Sequence, residues 1–387
     1  MTGGWPPGTL CHHRGRRVFS DRLAGNVALD KRLVSPREPP LFVLGVLISS
    51  LCWAGLTVVT LGLGLVYAVL ALGFVAVAHA VFLASVRGNG VRVGPSQLPD
   101  LHRRLVAASQ RLGLERPPEL YLLQSGGVLN AFATKLLSRR FVILNSALAD
   151  ACSDPRQLEF VLGHELGHLA AGHLVWNGFL LPFRLMPWLG AAYSRAREYT
   201  GDRCGLAVVA DLEPAMRGLV VLAAGGKYAG EVNLETFAEQ RAESGRFWMA
   251  TTELMSSHPF LCKRVAELQA IVHPGTVAPV PRTPLAYPLA PILGMTAPGS
   301  TGVALLVLVY LGVIAVFAAR GFQTALSKAG VNGPAGWQLP FNPGGPAASE
   351  EEEDDPRPDE EEDPDVDAPE EEDVQRVPGT QGKTFRE

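Results

Sequence analysis

The chain has 387 residues, 47% hydrophobic and only 19% charged, and its formal net charge of −4 averages two opposite bodies. Residues 350–373 hold seventeen acids against the single Arg357, so the remainder is basic. The apolar content excludes global disorder. The five scattered cysteines (Cys11, Cys52, Cys152, Cys204 and Cys262) include no C-x-x-C pair, which excludes a disulfide-stapled secreted domain, a zinc knuckle and a thioredoxin-type motif.

Residues 1–40 form a basic N-terminal arm, with seven basic residues against Asp21, Asp30 and Glu38. It is not a signal peptide, because the apolar stretch behind it is too long for an h-region. From Leu41 to Val86, 46 residues pass without an Asp, Glu, Lys or Arg. One bilayer crossing takes about 20 apolar residues. Residues 41–86 are therefore predicted to form a two-helix transmembrane hairpin, with helices at 41–61 and 65–86 and a turn at Gly62–Gly64. Arg-rich flanks on both sides (Arg87, Arg92, Arg103 and Arg104 after the hairpin) place the following domain in the cytoplasm. The expected location is the cell's inner membrane, as an integral multi-pass protein.

Residues 88–283 read as a mixed α+β domain, mostly helical. Helical spacing runs over Leu98–Leu112, and strands are predicted at Glu119–Leu123 and Arg140–Asn145. Ser153–His173 reads as a helix capped by Asp154, with Pro155 at its first position and Gln157 completing a capping box. Leu174–Tyr193 is apolar but interrupted by Pro182, Arg184 and Pro187; it either dips into the membrane or is buried. Helices are expected at 203–225 and 234–256, with a break at Gly225–Gly226. Residues 284–320 form a C-terminal membrane segment in which Gly302–Ala319 is a clean span. Residues 321–387 form an acidic tail too polar to offset the cost of ordering, and are expected to be disordered.

The decisive segment is His164-Glu165-Leu-Gly-His168. On a helix the two imidazoles project from one face about 40° apart and can share one Zn2+, with Glu165 beside them to act on a water. His173 lies about 140° around the helix from His168, so it is not a ligand unless the helix breaks at Gly172. Further on, Glu198 and Asp202 stand four apart on another predicted helix. A carboxylate from that helix would complete a two-His, one-carboxylate set, and a second could orient a ligating imidazole.

Together with Asn130-Ala131-Phe132-Ala133 and Ser257-His258-Pro259, with Arg264 five residues later, these motifs resemble the membrane-bound zinc metallopeptidases of the HtpX and CAAX-prenyl-protease type, peptidase family M-forty-eight. The resemblance covers about residues 100–270. It implies a zincin-type, gluzincin-like domain inserted between transmembrane helices, with one Zn2+ per chain held by His164, His168 and Glu198. It implies Glu165 as general base and acid, Asp202 as support for a histidine ligand, and Asn130–Ala133 as the edge strand along which an extended substrate lies. His258 is a candidate for oxyanion stabilisation, beside the alternative of a structural His-Pro turn with Arg264 in an ion pair.

The expected function is thus membrane-anchored, zinc-dependent endopeptidase hydrolysis of protein or peptide substrates, in the manner of a quality-control peptidase. The alternative is an inactive membrane scaffold recruiting partners through its acidic tail. The lipid bilayer is an expected partner. Nucleic acid is not, since no basic stripe with interleaved aromatics occurs. The oligomeric state and the substrate are not legible in the sequence.

Overall fold

A computed structural model describes residues 29–186 and 188–294, together with 320, 321 and 324. The chain divides into two units, Met1–Val331 and Asn332–Glu387, and every described residue belongs to the first. The arm before residue 29, the expected span Gly302–Ala319 and the acidic run 350–373 lie outside the described residues.

Two apolar helices come first, α1 (Glu38–Val59) and α2 (Leu63–Asn89), each long and apolar enough to cross a membrane. At 1.5 Å per residue, 22 residues reach about 33 Å, close to the thickness of a hydrocarbon core. Their large side chains point outward, Leu51 and Val58 each being 73% exposed, where a core helix of a soluble protein would bury them. The turn between them falls at Thr60–Gly62, two residues before the expected place. Gly62 takes the left-handed conformation at φ +86°, and the Thr60 hydroxyl accepts from the Gly64 N–H at 2.8 Å, which draws Gly64 into α2.

The last turns of α2 serve a different purpose. Leu83 and Val86 pack on one face of a four-stranded sheet, against Tyr121, Phe141 and Ile143. The strands are β1 (Val91–Arg92), β2 (Glu119–Leu123), β3 (Ala131–Leu136) and β4 (Arg139–Asn145), in the order β1-β2-β4-β3. β2 and β4 run parallel, and the outer pairs are antiparallel. Between β1 and β2 lies α3 (Pro99–Arg111), which packs on the opposite face of the sheet from α2. Alternation along β4 sends Phe141 and Ile143 to α2, and Val142 and Leu144 to the main core. β3 is left as an edge. The Phe82 ring lies tilted against its Phe132, and His79 Nε2 lies 3.0 Å from the Thr134 hydroxyl, tying this edge strand to α2.

After the short α4 (Ser146–Ala151) comes α5 (Pro155–Ala170), the helix carrying the His-Glu-x-x-His motif. Asp154 caps it by accepting from the Arg156 N–H at 2.8 Å. The expected capping box is not formed: the Gln157 amide instead donates to the Ser153 hydroxyl at 3.3 Å. The helix ends at Ala170, three residues short of His173, because Gly172 turns the chain at φ +73°.

Residues 174–186 then run beside α1, through the one-turn α6 (Leu181–Arg184). Phe183 lies over Gly45, where a Cβ would stand 2.7 Å from the ring, and the Trp53 indole donates to the Phe179 carbonyl at 2.8 Å. The apolar stretch 174–193 is thus packed along the first apolar helix, with Leu180, Phe183 and Tyr193 forming the core of the contact.

α7 (Leu189–Val209) and α8 (Leu212–Ala229) divide the stretch expected as one helix at 203–225, since Ala210 adopts the left-handed conformation at φ +55°. Gly225 kinks α8 where a break was expected. The expected helix 234–256 is three pieces: α9 (Leu234–Glu239), a 3-10 turn (Gln240–Gly245) and α10 (Phe247–Met255). Gly245 lies against the Pro281 carbonyl, where a side chain would collide at 2.3 Å, and Arg246 is extended. α11 (Leu261–Val272) and α12 (Ala286–Gly294) follow.

Candidate active site

The site lies where α5 crosses α7, and glycine makes the crossing close. A Cβ on Gly167 would come within 2.6 Å of Cys204, and one on Gly201 within 2.6 Å of the His164 ring. Gly163 and Gly205 complete the contact, giving a G-x-x-x-G pair on each helix with the same four-residue period as the ligands. The backbones approach until side chains from the two helices can meet a common point.

His164, His168 and Glu198 meet there, and they are the one such group of potential metal ligands among the described residues. The Nε2 atoms of His164 and His168 are 3.2 Å apart, and the Glu198 oxygens lie 3.5 Å from the first and 3.6 Å from the second. Ligand bonds of 2.0–2.1 Å in tetrahedral geometry place donors about 3.3 Å apart, so these separations suit one small cation.

The outer nitrogens settle the chemistry. His164 Nδ1 faces Asp202 Oδ1 at 3.1 Å and Arg264 Nη2 at 3.3 Å; the carboxylate only accepts, so the shorter contact is made when this nitrogen carries the proton. His168 Nδ1 faces His173 Nδ1 at 2.7 Å, while His173 Nε2 faces Glu38 Oε1 at 2.9 Å. The Glu38 carboxylate only accepts, so a neutral His173 carries its one proton on Nε2 toward it. His173 Nδ1 therefore accepts, and His168 Nδ1 donates. Both inner Nε2 atoms are left as lone pairs, pointed at each other and at a carboxylate. Three converging electron-pair donors repel unless a cation lies among them. The donor set fits a borderline-soft divalent metal such as zinc.

Electrostatics without a cation agree. Burial opposes an imidazolium at His164, but Asp202 and Glu198 outweigh it and push its pKa up to about 10, so a proton is drawn to where a metal would be. Burial also opposes ionisation of Glu198, yet His164 and Arg264 hold it well below the usual carboxylate range.

Arg264 from α11 closes the cluster. It donates to Asp202 Oδ2 through Nε at 2.9 Å and to Oδ1 through Nη2 at 2.6 Å, and its Nη1 lies 3.4 Å from Glu198. This fork commits the guanidinium to the carboxylates.

Glu165 faces β3, where its Oε2 accepts the Ala133 N–H at 2.8 Å. Burial pushes its pKa up to about 7, with His164 opposing. Ala131, Phe132 and Ala133 lie on the edge strand, and Asn130 immediately precedes it, its carbonyl accepting from the Asn145 N–H at 3.0 Å. His258 sits in the loop after α10, exposed, with Nε2 3.5 Å from Glu198. That loop is held by Arg195, whose Nη1 donates to the carbonyls of Glu253, Leu254 and Ser256 at 2.6, 3.1 and 2.8 Å.

His164, Glu165, His168, Glu198, Asp202, His258 and Arg264 thus lie together, and of the edge-strand residues Ala133 touches the cluster while Phe132 packs toward α2. Missed were Glu38, Thr200, Arg195 and the four interface glycines. The glycines had a signal, two G-x-x-x-G spacings in register with the two motifs. Glu38 had a fainter one, as the last charge before a 46-residue uncharged run.

Comparison with known proteins points to the same part of the chain. The profile of Peptidase family M48 matches residues 95–181 and 177–272. A plastoglobule-localized metallopeptidase 48 of Arabidopsis thaliana chloroplasts is 33% identical over 175 residues, covering 40% of this chain and 48% of that protein. A protease HtpX homolog of Bacillus velezensis is 28% identical over 217 residues, covering 45% of this chain and 69% of that protein. The chain therefore spans about half the length of the first relative and about two thirds of the second. No solved structure matches. Residues 95–272, built around two glycine-paired helices and their buried ligand cluster, match the profile of peptidase family M48 and are similar to an HtpX-type protease.

Proposed function

We propose that this chain is a zinc-dependent endopeptidase acting on protein segments close to a membrane, as quality-control peptidases do. The observation that carries the proposal is the convergence of two imidazole Nε2 atoms and the Glu198 carboxylate, with each outer ring nitrogen engaged by a neighbouring side chain. His164, His168 and Glu198 would hold the metal, and Asp202 would fix the tautomer of His164. A Zn2+ ion held there supplies a Lewis acid for the scissile carbonyl and lowers the pKa of water toward neutrality.

This chain's residues do the rest. Glu165 takes a proton from the attacking water and returns it to the leaving amine, a role that suits a carboxylate pushed toward neutrality by burial. An extended peptide adds to the outer edge of β3 beside Ala131–Ala133 and is aligned by main-chain hydrogen bonds. His258, exposed and 3.5 Å from Glu198, would steady negative charge developing on the carbonyl oxygen. The two apolar helices would anchor the catalytic domain at the cytoplasmic face, in keeping with the arginines that flank them.

The test is zinc content and casein hydrolysis of the detergent-purified chain beside Glu165→Gln and Glu198→Ala. The wild type should hold one zinc and cleave. Glu165→Gln should keep its zinc and lose activity by about 100-fold or more, and Glu198→Ala should lose the metal. A wild type that binds no zinc overturns the proposal in favour of a scaffold.

A further inference from the structure

We propose that Glu38 and His173 are positioning residues for His168, so that the first turn of α1, a membrane-crossing helix by composition, is part of the metal centre. This rests on the metal-site assignment above. The two ligand imidazoles are held differently. His164 is held by a carboxylate of the partner helix, Asp202 on α7. No carboxylate of α5 or α7 contacts the outer nitrogen of His168. His173 fills that position, and it does so because α5 ends early: Gly172 reverses the chain at φ +73°, and the His173 N–H donates to the His168 carbonyl at 3.1 Å.

His173 can hold a proton donor on one side only if its own proton is claimed on the other. Glu38, 135 positions earlier, makes that claim at 2.9 Å. The Glu38 and His173 side chains are 10% and 1% exposed. The second oxygen of Glu38 accepts the Thr200 hydroxyl of α7, and Thr200 in turn accepts the Ser35 N–H at 2.9 Å. A continuous file therefore runs from the head of α1 through His173 to the ligand nitrogen, each member donating toward Glu38. A carboxylate buried at the head of an apolar helix is costly unless it is used. Its use here is to hold His168 in the tautomer and ring orientation that present Nε2 inward.

The experiment uses the full chain in detergent. Zinc affinity is measured by competition with a chromophoric chelator, and the Co2+-loaded protein gives a ligand-field absorption spectrum. His173→Ala should weaken zinc about 10- to 100-fold and shift the cobalt bands. His173→Gln, whose amide can accept from His168 and donate to Glu38, should recover most of the loss. Glu38→Ala should weaken zinc less than His173→Ala. The double variant should be no weaker than His173→Ala alone, because Glu38 acts through His173. If the contacts only staple α1 to α7, Glu38→Ala and His173→Ala will melt earlier with additive losses while zinc affinity and cobalt spectrum match wild type, and the inference falls. Should His173→Ala fail to fold, Glu38→Ala decides, by a threefold or greater loss of affinity with shifted bands, or by neither. A wild type that binds no zinc removes the metal assignment and this inference together. A wild type that binds, with both variants equal to it, removes only this one.

Discussion

The molecule contains two helix pairs built on opposite rules. α1 and α2 turn leucine, valine and phenylalanine outward and bury little, with Leu51 and Val58 each 73% exposed. α5 and α7 meet through glycine and enclose two histidines, three acids and an arginine, with Asp202 fully buried. In the first pair almost any apolar side chain of similar size would serve, because its requirement is compositional. In the second, each enclosed charged group is tolerable only because a polar partner stands close by, an opposite charge for Asp202, Glu198 and Arg264 and a backbone N–H for Glu165. Along the uncharged run of the first pair, beyond Glu38 at the head of α1, a charge is costly, whereas in the second the loss of one is costly.

That contrast can be broken by experiment. The largest expected effect is at Arg264. Replacing it with Ala leaves Asp202 and Glu198 buried without their cation and should cost about 3–5 kcal/mol, read from thermal or urea melts of the metal-free protein. A loss under 1 kcal/mol would mean that the acids are protonated or solvated and that the cluster is not the tightly matched unit described.

In the hairpin the opposite change is the informative one. Leu51→Arg should cost about 2.5–3.5 kcal/mol of membrane insertion, read as the fraction of chain in the alkali-resistant membrane pellet. An unchanged pellet would show that this face of α1 does not meet lipid.

The smallest effect compares one substitution in both pairs. Gly201→Ala pushes a methyl into the His164 ring and should destabilise by about 1–3 kcal/mol, with weakened zinc binding. Gly55→Ala on α1 meets nothing within 4 Å and should leave stability unchanged or slightly raised. Equal effects at the two positions would erase the distinction.

The same contrast explains what could be read from the sequence. The hairpin was legible because its signal is local and compositional, and its turn was misplaced by two residues only because a threonine hydroxyl draws Gly64 into the second helix. The capped start of α5 and the His-Glu-x-x-His face were legible because their information lies within one turn or two. Glu198 and Asp202 were legible as a spaced pair, although their roles needed the family resemblance. Glu38 was not. Its role depends on a helix ending at Ala170, a reversal at Gly172 and a contact spanning 135 positions, none of which periodicity encodes. The three-part break of 234–256 was hidden for a similar reason: it follows from Gly245 lying against the Pro281 carbonyl, a contact between distant segments.

One contact between α5 and α7 has a chemical consequence. Cys204 lies sealed against Gly167, with no exposed surface, and burial pushes its thiol up to about 12. A thiol in that state is inert to alkylating reagents. It reacts only while the helices are parted, so its labelling rate is a clock for their opening in the unmodified protein. A ligand that binds only the closed arrangement slows the clock by the same factor that it stabilises closure.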